Sequence, residues 1–96
     1  MPKFIVTPSS QFKKELKKYQ NRKKEIKAIF DVVELLEGGH ENIPSKMKPH
    51  VLSGNYNDFW ECHVMPDLLV IWDETTEPVN KVYLVRVGSH SELFRK

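Results

Sequence analysis

Apolar positions in the first forty residues recur with the period of an α-helix. Phe12, Leu16 and Tyr19 lie at positions i, i+4 and i+7, which predicts a helix with one apolar stripe and a lysine-rich remainder. A second stripe predicts a helix over residues 22–37, ended by Gly38-Gly39. Its apolar positions are Ile26, Ile29, Phe30, Val33 and Leu36. The two helices are expected to form an antiparallel hairpin with a shared apolar side.

A short strand, Phe4-Ile5-Val6, is expected before the first helix. Thr7 is then the predicted N-cap, because its hydroxyl can accept a hydrogen bond from the first turn. Pro8 fits that first turn, where its missing N–H costs nothing.

The second half of the chain changes to the period of a β-strand. Residues 40–55 show no sustained period and predict a long ordered loop, a kind of segment that tends to be functional. Three strands are predicted after it, over residues 59–64, 68–72 and 81–87. The middle strand is continuously apolar and is expected at the centre of the sheet. After Gly88, Ser89 is a candidate cap for a short helix over residues 90–94.

The element order β-α-α-β-β-β predicts a single α+β domain over residues 1–96. An N-terminal strand and a two-helix hairpin are expected to pack on a mainly antiparallel sheet, followed by a short C-terminal helix. A chain of 96 residues leaves no room for a second core. The face of the sheet opposite the hairpin is expected to stay partly open, which makes it a reasonable place for a site.

Cysteine usage and hydropathy favour a cytoplasmic protein. The single cysteine, Cys62, excludes an internal disulfide and is typical of a reducing compartment. The N-terminus lacks the apolar stretch of a secretory signal, and no run approaches the roughly 18 apolar residues of a membrane-spanning helix. No membrane partner is therefore expected.

Charge is distributed unevenly along the chain. Residues 1–48 carry 11 Lys and Arg against 6 Asp and Glu, whereas residues 49–96 carry 4 against 7. Clustered lysines in the first half favour a polyanion or an acidic protein as partner. A solvated helical face is the alternative interpretation of the same cluster.

Histidines gather near the ends of the predicted strands. His63 and Asp67 flank a tight turn, and Arg86 and His90 lie at the end of the last strand and just beyond it. If the last strand pairs beside the central one, these four side chains converge at one end of the sheet. His50, in the long loop, can fold over them.

These residue types suit RNA cleavage without a metal. Histidine gives and takes protons near neutrality, and arginine offers a planar charged fork to phosphate oxygens. A base would take the proton of the ribose 2′-OH, that oxygen would attack the adjacent phosphate, and an acid would protonate the departing 5′-oxygen. No cofactor is required, and the chain has no glycine-rich phosphate loop, nucleophile elbow or zinc-binding spacing.

Each candidate also has a purely structural interpretation. His63 can be structural within its strand, and Asp67 can simply shape its turn. Arg86 can snorkel from the sheet, and His90 can support the cap of the last helix. A nucleophilic pair of Cys62 with His63 is excluded by geometry, because adjacent strand residues point to opposite faces.

Four segments together resemble a known family. They are Thr7-Pro8 with the lysine-rich helix, residues 50–54 (HVLSG), residues 63–67 (HVMPD) and residues 86–94 (RVGSHSELF). This pattern resembles the YafQ-type toxins of the RelE/ParE superfamily and spans nearly the whole chain. The resemblance implies a RelE-like fold and a toxin of a type II toxin–antitoxin system. Such a toxin is an mRNA interferase that cuts messenger RNA in the ribosomal A site and is held inactive by its cognate antitoxin.

The resemblance also assigns roles. Positions matching the family's functional places are His50, His63, Asp67, Arg86, His90 and Phe94. His90 is expected to be the main proton-transfer group, Arg86 the phosphate ligand, and Phe94 a residue that stacks on the substrate. The other three are expected to support acid–base chemistry. Lys13 and Lys17 are expected to contact substrate, and the antitoxin is expected to be acidic and partly disordered.

Two alternatives stay open at this point. A non-catalytic module could bind nucleic acid or protein through its basic helical hairpin, although the histidines lie far from the lysines along the chain. A metal hydrolase could use His63, Asp67 and His90, although their spacing is not that of a compact zinc site. A chelator test separates the metal hydrolase from metal-free cleavage.

Overall fold

The computed structural model describes residues 3–94, apart from the side chain of Asn55. Its strands and helices are β1 (Ile5–Pro8), α1 (Ser10–Leu16), α2 (Lys23–Leu35), β2 (His50–Val51), β3 (Trp60–Met65), β4 (Leu68–Thr75), β5 (Lys81–Gly88) and α3 (His90–Leu93). Short 3-10 turns extend α1 and α2 at their C-terminal ends. None of the helices in this part of the chain is long and apolar enough to cross a membrane.

The strands form a five-stranded sheet in the order β1-β5-β4-β3-β2. β1 runs parallel to β5, and the other three pairs are antiparallel. The α+β class and the mainly antiparallel sheet are therefore confirmed, as is the pairing of the last strand beside the central one. That pairing brings the end of β5 next to the turn between β3 and β4.

The main core lies between the helices and one face of the sheet. Phe12, Ile29 and Leu36 from the helical layer are buried against Trp72 and Leu84 of the sheet. The opposite face carries a smaller core of Leu69, Ile71 and Leu93. Residues of the loop before β3 pack against this second core, so the expected open face is covered over part of its area.

The first helix begins two residues later than the sequence analysis predicts. Thr7 and Pro8 belong to β1 and pair with β5, so Thr7 is not the N-cap. The cap is Ser9, whose Oγ accepts a hydrogen bond from the Phe12 N–H at 2.9 Å. Pro8 is tolerated in β1 because β1 is an edge strand, where the missing N–H removes no ladder bond that the sheet needs.

The buried face of α2 is also rotated from the prediction. Ile29, Val32 and Leu36 are fully buried, whereas Phe30 is 54% exposed. One residue along a helix is a rotation of about 100°, so Phe30 cannot share the face of Ile29 that meets the sheet. Sequence alone does not distinguish these two faces, because both are apolar.

Residues 40–55, predicted as a loop, contain one short strand. β2 has two residues, with His50 opposite Glu61 and Val51 opposite Trp60. Two residues are too few for a period of two to appear in the sequence. β4 also continues to Thr75, three residues beyond the predicted end of this strand at residue 72.

The edge of β5 is closed by α1 where β1 ends. Pairing with β1 extends only to Leu84. Beyond it, the Ser9 Oγ donates to the Val85 carbonyl at 3.0 Å, and the Val87 N–H donates to the Glu15 Oε1 at 3.0 Å. Glu15 is buried. Side chains of α1 thus take the place of a neighbouring strand.

Replacing Glu15 should therefore destabilise the fold. Glu15→Ala leaves the buried Val87 N–H without an acceptor, and we expect a loss of about 2 kcal/mol in the free energy of unfolding. Urea denaturation of the purified protein measures this loss. Glu34→Ala, which removes an exposed glutamate from α2, is the control. Equal losses for the two variants would contradict the role of Glu15 at the sheet edge.

Candidate active site

A bulge in β5 places Arg86 on the face of the sheet opposite the helices. Strict alternation would put Arg86 on the side of Val82 and Leu84, which lies against the helices. The register shifts at Val85, and Arg86 becomes the partner of Ile71. Ile71 belongs to the smaller core on the second face. Bulges commonly re-aim side chains in this way.

Arg86 is held from two sides. Its Nε and Nη2 approach the Glu15 Oε2 at 2.7 and 2.5 Å, and its Nη1 donates to the Tyr56 hydroxyl at 2.6 Å. The hydrogen bond to Glu15 is the largest cause that raises the pKa of Arg86 above its ordinary value. The guanidinium is therefore fixed in orientation, and its remaining N–H groups are available to another acceptor.

Tyr56 connects this arginine to the C-terminal helix. Its hydroxyl donates to the Leu93 carbonyl at 3.1 Å while it accepts from Arg86. Its ring meets the Phe94 ring edge to face, with centroids 5.7 Å apart. Tyr56 thus positions both the arginine and the aromatic residue that follows α3.

His90 is oriented by Asp67 from the neighbouring turn. The Asp67 Oδ1 lies 2.9 Å from the His90 Nδ1 and accepts from the His90 backbone N–H at 3.1 Å. These two hydrogen bonds, the backbone one first, lower the pKa of Asp67. Because an ionised carboxylate only accepts, the Nδ1 carries the proton. The Nε2 of His90 is left for another partner.

The helix that carries His90 is closed at its N-terminus by a capping box. Ser89 accepts from the Glu92 N–H, and the Glu92 side chain accepts from the Ser89 N–H, as the sequence analysis predicts for Ser89. Glu92 also forms an ion pair with Lys18 of the helical layer. The hydrogen bond from Lys18 is the first cause that lowers the pKa of Glu92 to about 2. Glu92 thus fixes the position of α3, because it is bonded both to the cap residue Ser89 and to Lys18 of the helical layer.

His63 and Phe94 complete a row of rings around His90. The His63 and His90 ring centroids are 5.6 Å apart, and those of His90 and Phe94 are 6.3 Å apart. Within residues 3–94, the His63 ring has no hydrogen-bond partner. Its nitrogens are therefore available on the same surface as the His90 Nε2.

His50 shares a proton with a buried carboxylate. Its Nδ1 lies 2.7 Å from the Lys48 carbonyl oxygen, which can only accept, so the Nδ1 carries a hydrogen. Its Nε2 lies 3.0 Å from the Glu61 Oε1. Two bare acceptors would repel each other there, so either the imidazole or the carboxyl group holds a second proton. Glu61 is 4% exposed, and its Oε2 has no hydrogen-bond partner among the described residues.

The structure brings most of the sequence-predicted site residues together. Contacts or ring neighbours join Asp67, His63, His90 and Phe94, and Tyr56 links Phe94 to Arg86. His50 joins the same face through Glu61, which precedes His63 by two residues in β3. Lys13 and Lys17 lie elsewhere, at grooves beside α1.

Three residues of the site are not identified in the sequence analysis. Glu15 is a charged residue among the apolar positions of α1, a pattern that signals a buried partner. Glu61 alternates with His63 in β3 and therefore shares its face. Tyr56 lies in a loop without a period, and no sequence signal points to it.

The structure excludes a Cys–His nucleophile and offers no compact set of metal ligands. Cys62 is fully buried in the main core, and burial raises its pKa to about 12. The thiol is thus inert and faces away from His63. Over the described residues, no three His, Cys, Asp or Glu side chains converge as a metal site.

Known proteins share the sequence pattern and the fold of this chain. Residues 5–95 match the model of the family described as "Bacterial toxin of type II toxin-antitoxin system, YafQ". The mRNA interferase toxin YafQ of Escherichia coli strain K12 is 29% identical over 86 residues, which cover 90% of each chain. The toxin in the crystal structure of the E. coli DinJ–YafQ toxin–antitoxin complex superposes with a TM-score of 0.81, at 27% identity, over 96% of this chain and 98% of that chain.

A Helicobacter pylori toxin, crystallised in a metal-bound form, superposes with a TM-score of 0.78. It is 36% identical, and the match covers 95% of this chain and 99% of that chain. The family match extends over nearly the whole chain and includes every segment on which the sequence resemblance depends. The chain therefore belongs to the YafQ family of toxins of bacterial type II toxin–antitoxin systems.

Proposed function

We propose that this toxin is an endoribonuclease that cleaves messenger RNA in the ribosomal A site, in the cytoplasm, without a metal. The observation that carries the proposal is the presentation of Arg86 and His90 on one surface, each oriented by its own carboxylate. Glu15 fixes the guanidinium, and Asp67 fixes the imidazole. The relative in E. coli is named an mRNA interferase, which supports RNA as the substrate.

The proposed reaction transfers two protons and breaks one P–O bond. His63, whose ring has no hydrogen-bond partner among residues 3–94 and lies beside the His90 ring, takes the proton of the ribose 2′-OH. The 2′-oxygen then bonds to phosphorus as the bond from phosphorus to the 5′-oxygen breaks. His90 donates a proton from its Nε2 to that 5′-oxygen. Asp67 stabilises the charged imidazole from the other side, because its carboxylate accepts the Nδ1 hydrogen.

Further residues support this reaction. Arg86 meets the additional negative charge on the phosphate with the N–H groups that Glu15 and Tyr56 leave free. Phe94 stacks on a base next to the cleaved bond. His50, which is paired with Glu61, supports the acid–base chemistry from the same face of the sheet as His63.

Replacing His90 should remove the acid and leave the fold intact. We expect His90→Ala to lower the cleavage rate of ribosome-bound message by about a hundredfold or more, the usual contribution of one proton-transfer group. Asp67→Asn should lower the rate less, since it keeps the ring in place but weakens the charge partner. Single-turnover cleavage assays measure both effects.

The control is His40→Ala at the other end of the sheet. His40 contacts Glu74 and stacks on Trp60, so its loss should lower stability but not the rate per folded molecule. Cleavage by His90→Ala at the parental rate would show that His90 is not the acid.

One change to the substrate and one change to the solution test the chemistry itself. A deoxyribose immediately 5′ of the cut removes the nucleophile, so it should abolish cleavage at that bond and leave binding nearly unchanged. Cleavage of the parent message should persist in excess chelator, because no metal-bound water is required. The products should end in a 2′,3′-cyclic or 3′-phosphate and a 5′-hydroxyl.

Gel analysis and mass spectrometry of the fragments distinguish the alternatives. Efficient cleavage of the deoxy-substituted message, or loss of activity with chelator, would favour a metal-activated water and contradict the proposed reaction. A binding module would cut neither substrate.

An acidic antitoxin is the proposed partner of the helical layer. The described surface has a groove of about 510 Å³ between α1, α2 and β1, lined by apolar side chains that include Leu16 and the exposed Phe30. Lys13 lies in this groove, and both Lys13 and Lys17 lie in the adjoining one. An amphipathic acidic segment that folds on binding would match the apolar floor and the lysines together. Assignment of these lysines to RNA stays a prediction.

A negative charge introduced into the groove should prevent inhibition by the antitoxin and spare catalysis. Phe30→Glu should weaken the complex with the antitoxin encoded beside the toxin, because it places a carboxylate on the apolar floor against an acidic partner. Val79→Glu changes an equally exposed apolar residue in the β4–β5 turn and should leave the complex intact. Co-purification and growth rescue on co-expression measure both. Full inhibition of Phe30→Glu would place the antitoxin elsewhere.

A further inference from the structure

Another groove opens beside the candidate active site and shares only His63 with the proposed reaction. It has a volume of about 580 Å³ and is lined by Lys46, Met47, Lys48, His63, Met65 and Pro66. This volume is within the usual range for small-ligand sites. His63 is shared with the row of rings around His90, so the groove continues directly from the surface where the phosphate is expected.

The rim of the groove is positively charged. Lys46 and Lys48 are both exposed. Among residues 3–94, neither forms an ion pair, whereas Lys18 and Lys27 do. Two unneutralised ammonium groups next to an RNA-cleaving site match the backbone phosphates of a single strand.

The floor of the groove is apolar and adaptable. Met47 and Met65 are half-buried, and Pro66 lies beside them. Methionine thioethers make favourable contacts with aromatic rings and adjust to different shapes. Such a floor can accept the face of any base, since it has no fixed donor or acceptor pattern.

The position of Lys48 is tied to the catalytic residues. Its backbone is left-handed, with φ 54°, and its carbonyl accepts the Nδ1 hydrogen of His50. A non-glycine residue in this region is uncommon and is maintained only by its surroundings. The turn that carries both lysines is therefore held in register with His50 and, through Glu61, with His63.

We propose that this lysine–methionine groove binds the nucleotide that flanks the cleaved bond on the His63 side of the active site. Lys46 and Lys48 contact its phosphates, and the base rests on Met47 and Met65 without sequence preference. The inference rests on the proposed function and adds a substrate subsite to it. Phe94 and the groove would then hold the nucleotides on the two sides of the catalytic histidines.

Binding of a short mixed-sequence 2′-O-methyl RNA tests the charged rim, because this probe lacks the 2′-OH nucleophile. The double variant Lys46→Ala, Lys48→Gly removes both charges, and glycine keeps the left-handed backbone that orients His50. It should bind the RNA more weakly, with a slope of log K against log salt that is smaller by about 1.4, the value for two phosphate contacts on a single strand. The control Lys23→Ala, Lys24→Ala removes two exposed charges from α2 and should keep the parental slope.

Methyl NMR tests the floor directly. Of the three methionines in the chain, two line the groove, and Met47→Leu and Met65→Leu assign their methyl signals. Adding the RNA should shift both signals together with the ring signals of His63 and His90.

The possible results separate the subsite from the function. Shifts of the histidine rings with unmoved methyl signals, or a parental salt slope in the double variant, would overturn the subsite and leave the proposed nuclease intact. No shift at any of these groups would overturn both. Displacement of the methyl signals by polyglutamate at a lower concentration than the RNA would assign the groove to an acidic protein segment and overturn the proposal.

Discussion

A carboxylate buried at the edge of β5 joins the helical layer to the candidate active site. Glu15 accepts the Val87 N–H with one oxygen and the Arg86 guanidinium with the other. Burying a charge is costly unless its lone pairs find donors, and here each oxygen has at least one. The same side chain therefore closes the edge of the sheet and sets the direction of the expected phosphate ligand. A change at Glu15 is therefore expected to affect both the stability of the fold and the orientation of Arg86.

The histidines are organised by the acceptors around them rather than by each other. The Asp67 carboxylate and the Lys48 carbonyl each accept an Nδ1 hydrogen. The Nε2 atoms of His90 and His50 are therefore the ring nitrogens that can gain or lose a proton. Asp67 lies in the turn between β3 and β4, and Lys48 lies just before β2. The Glu61 Oε2, without a partner among the described residues, is a buried polar atom left unpaired at a cost to stability. Natural folds tolerate such a cost mainly at functional sites.

Sequence patterns were sufficient to predict the fold class, the strand order at the centre of the sheet and the cluster of His63, Asp67 and His90. These features follow from the period of apolar residues within each element and from the way antiparallel neighbours meet at a turn. The features that the sequence patterns did not predict depend on tertiary geometry. The bulge at Val85, which turns Arg86 away from the helices, leaves no trace in an apolar alternation. The sequence also does not show whether Phe30 or Val32 lies on the buried face of α2. Only the rotation of the helix against the sheet determines which of the two is buried.

The helix α1 presents different surfaces to the two proposed ligands. Lys13 and Lys17 are four residues apart and lie on one side of the helix, facing the apolar grooves. Glu15, about 200° around the axis from each of them, faces Arg86. A helix of two turns behaves as a rigid body, and its hydrogen bonds to the β5 edge fix its position along the sheet. A partner in the grooves that displaced α1 would also move Glu15 and with it the guanidinium, although it need not contact the candidate active site.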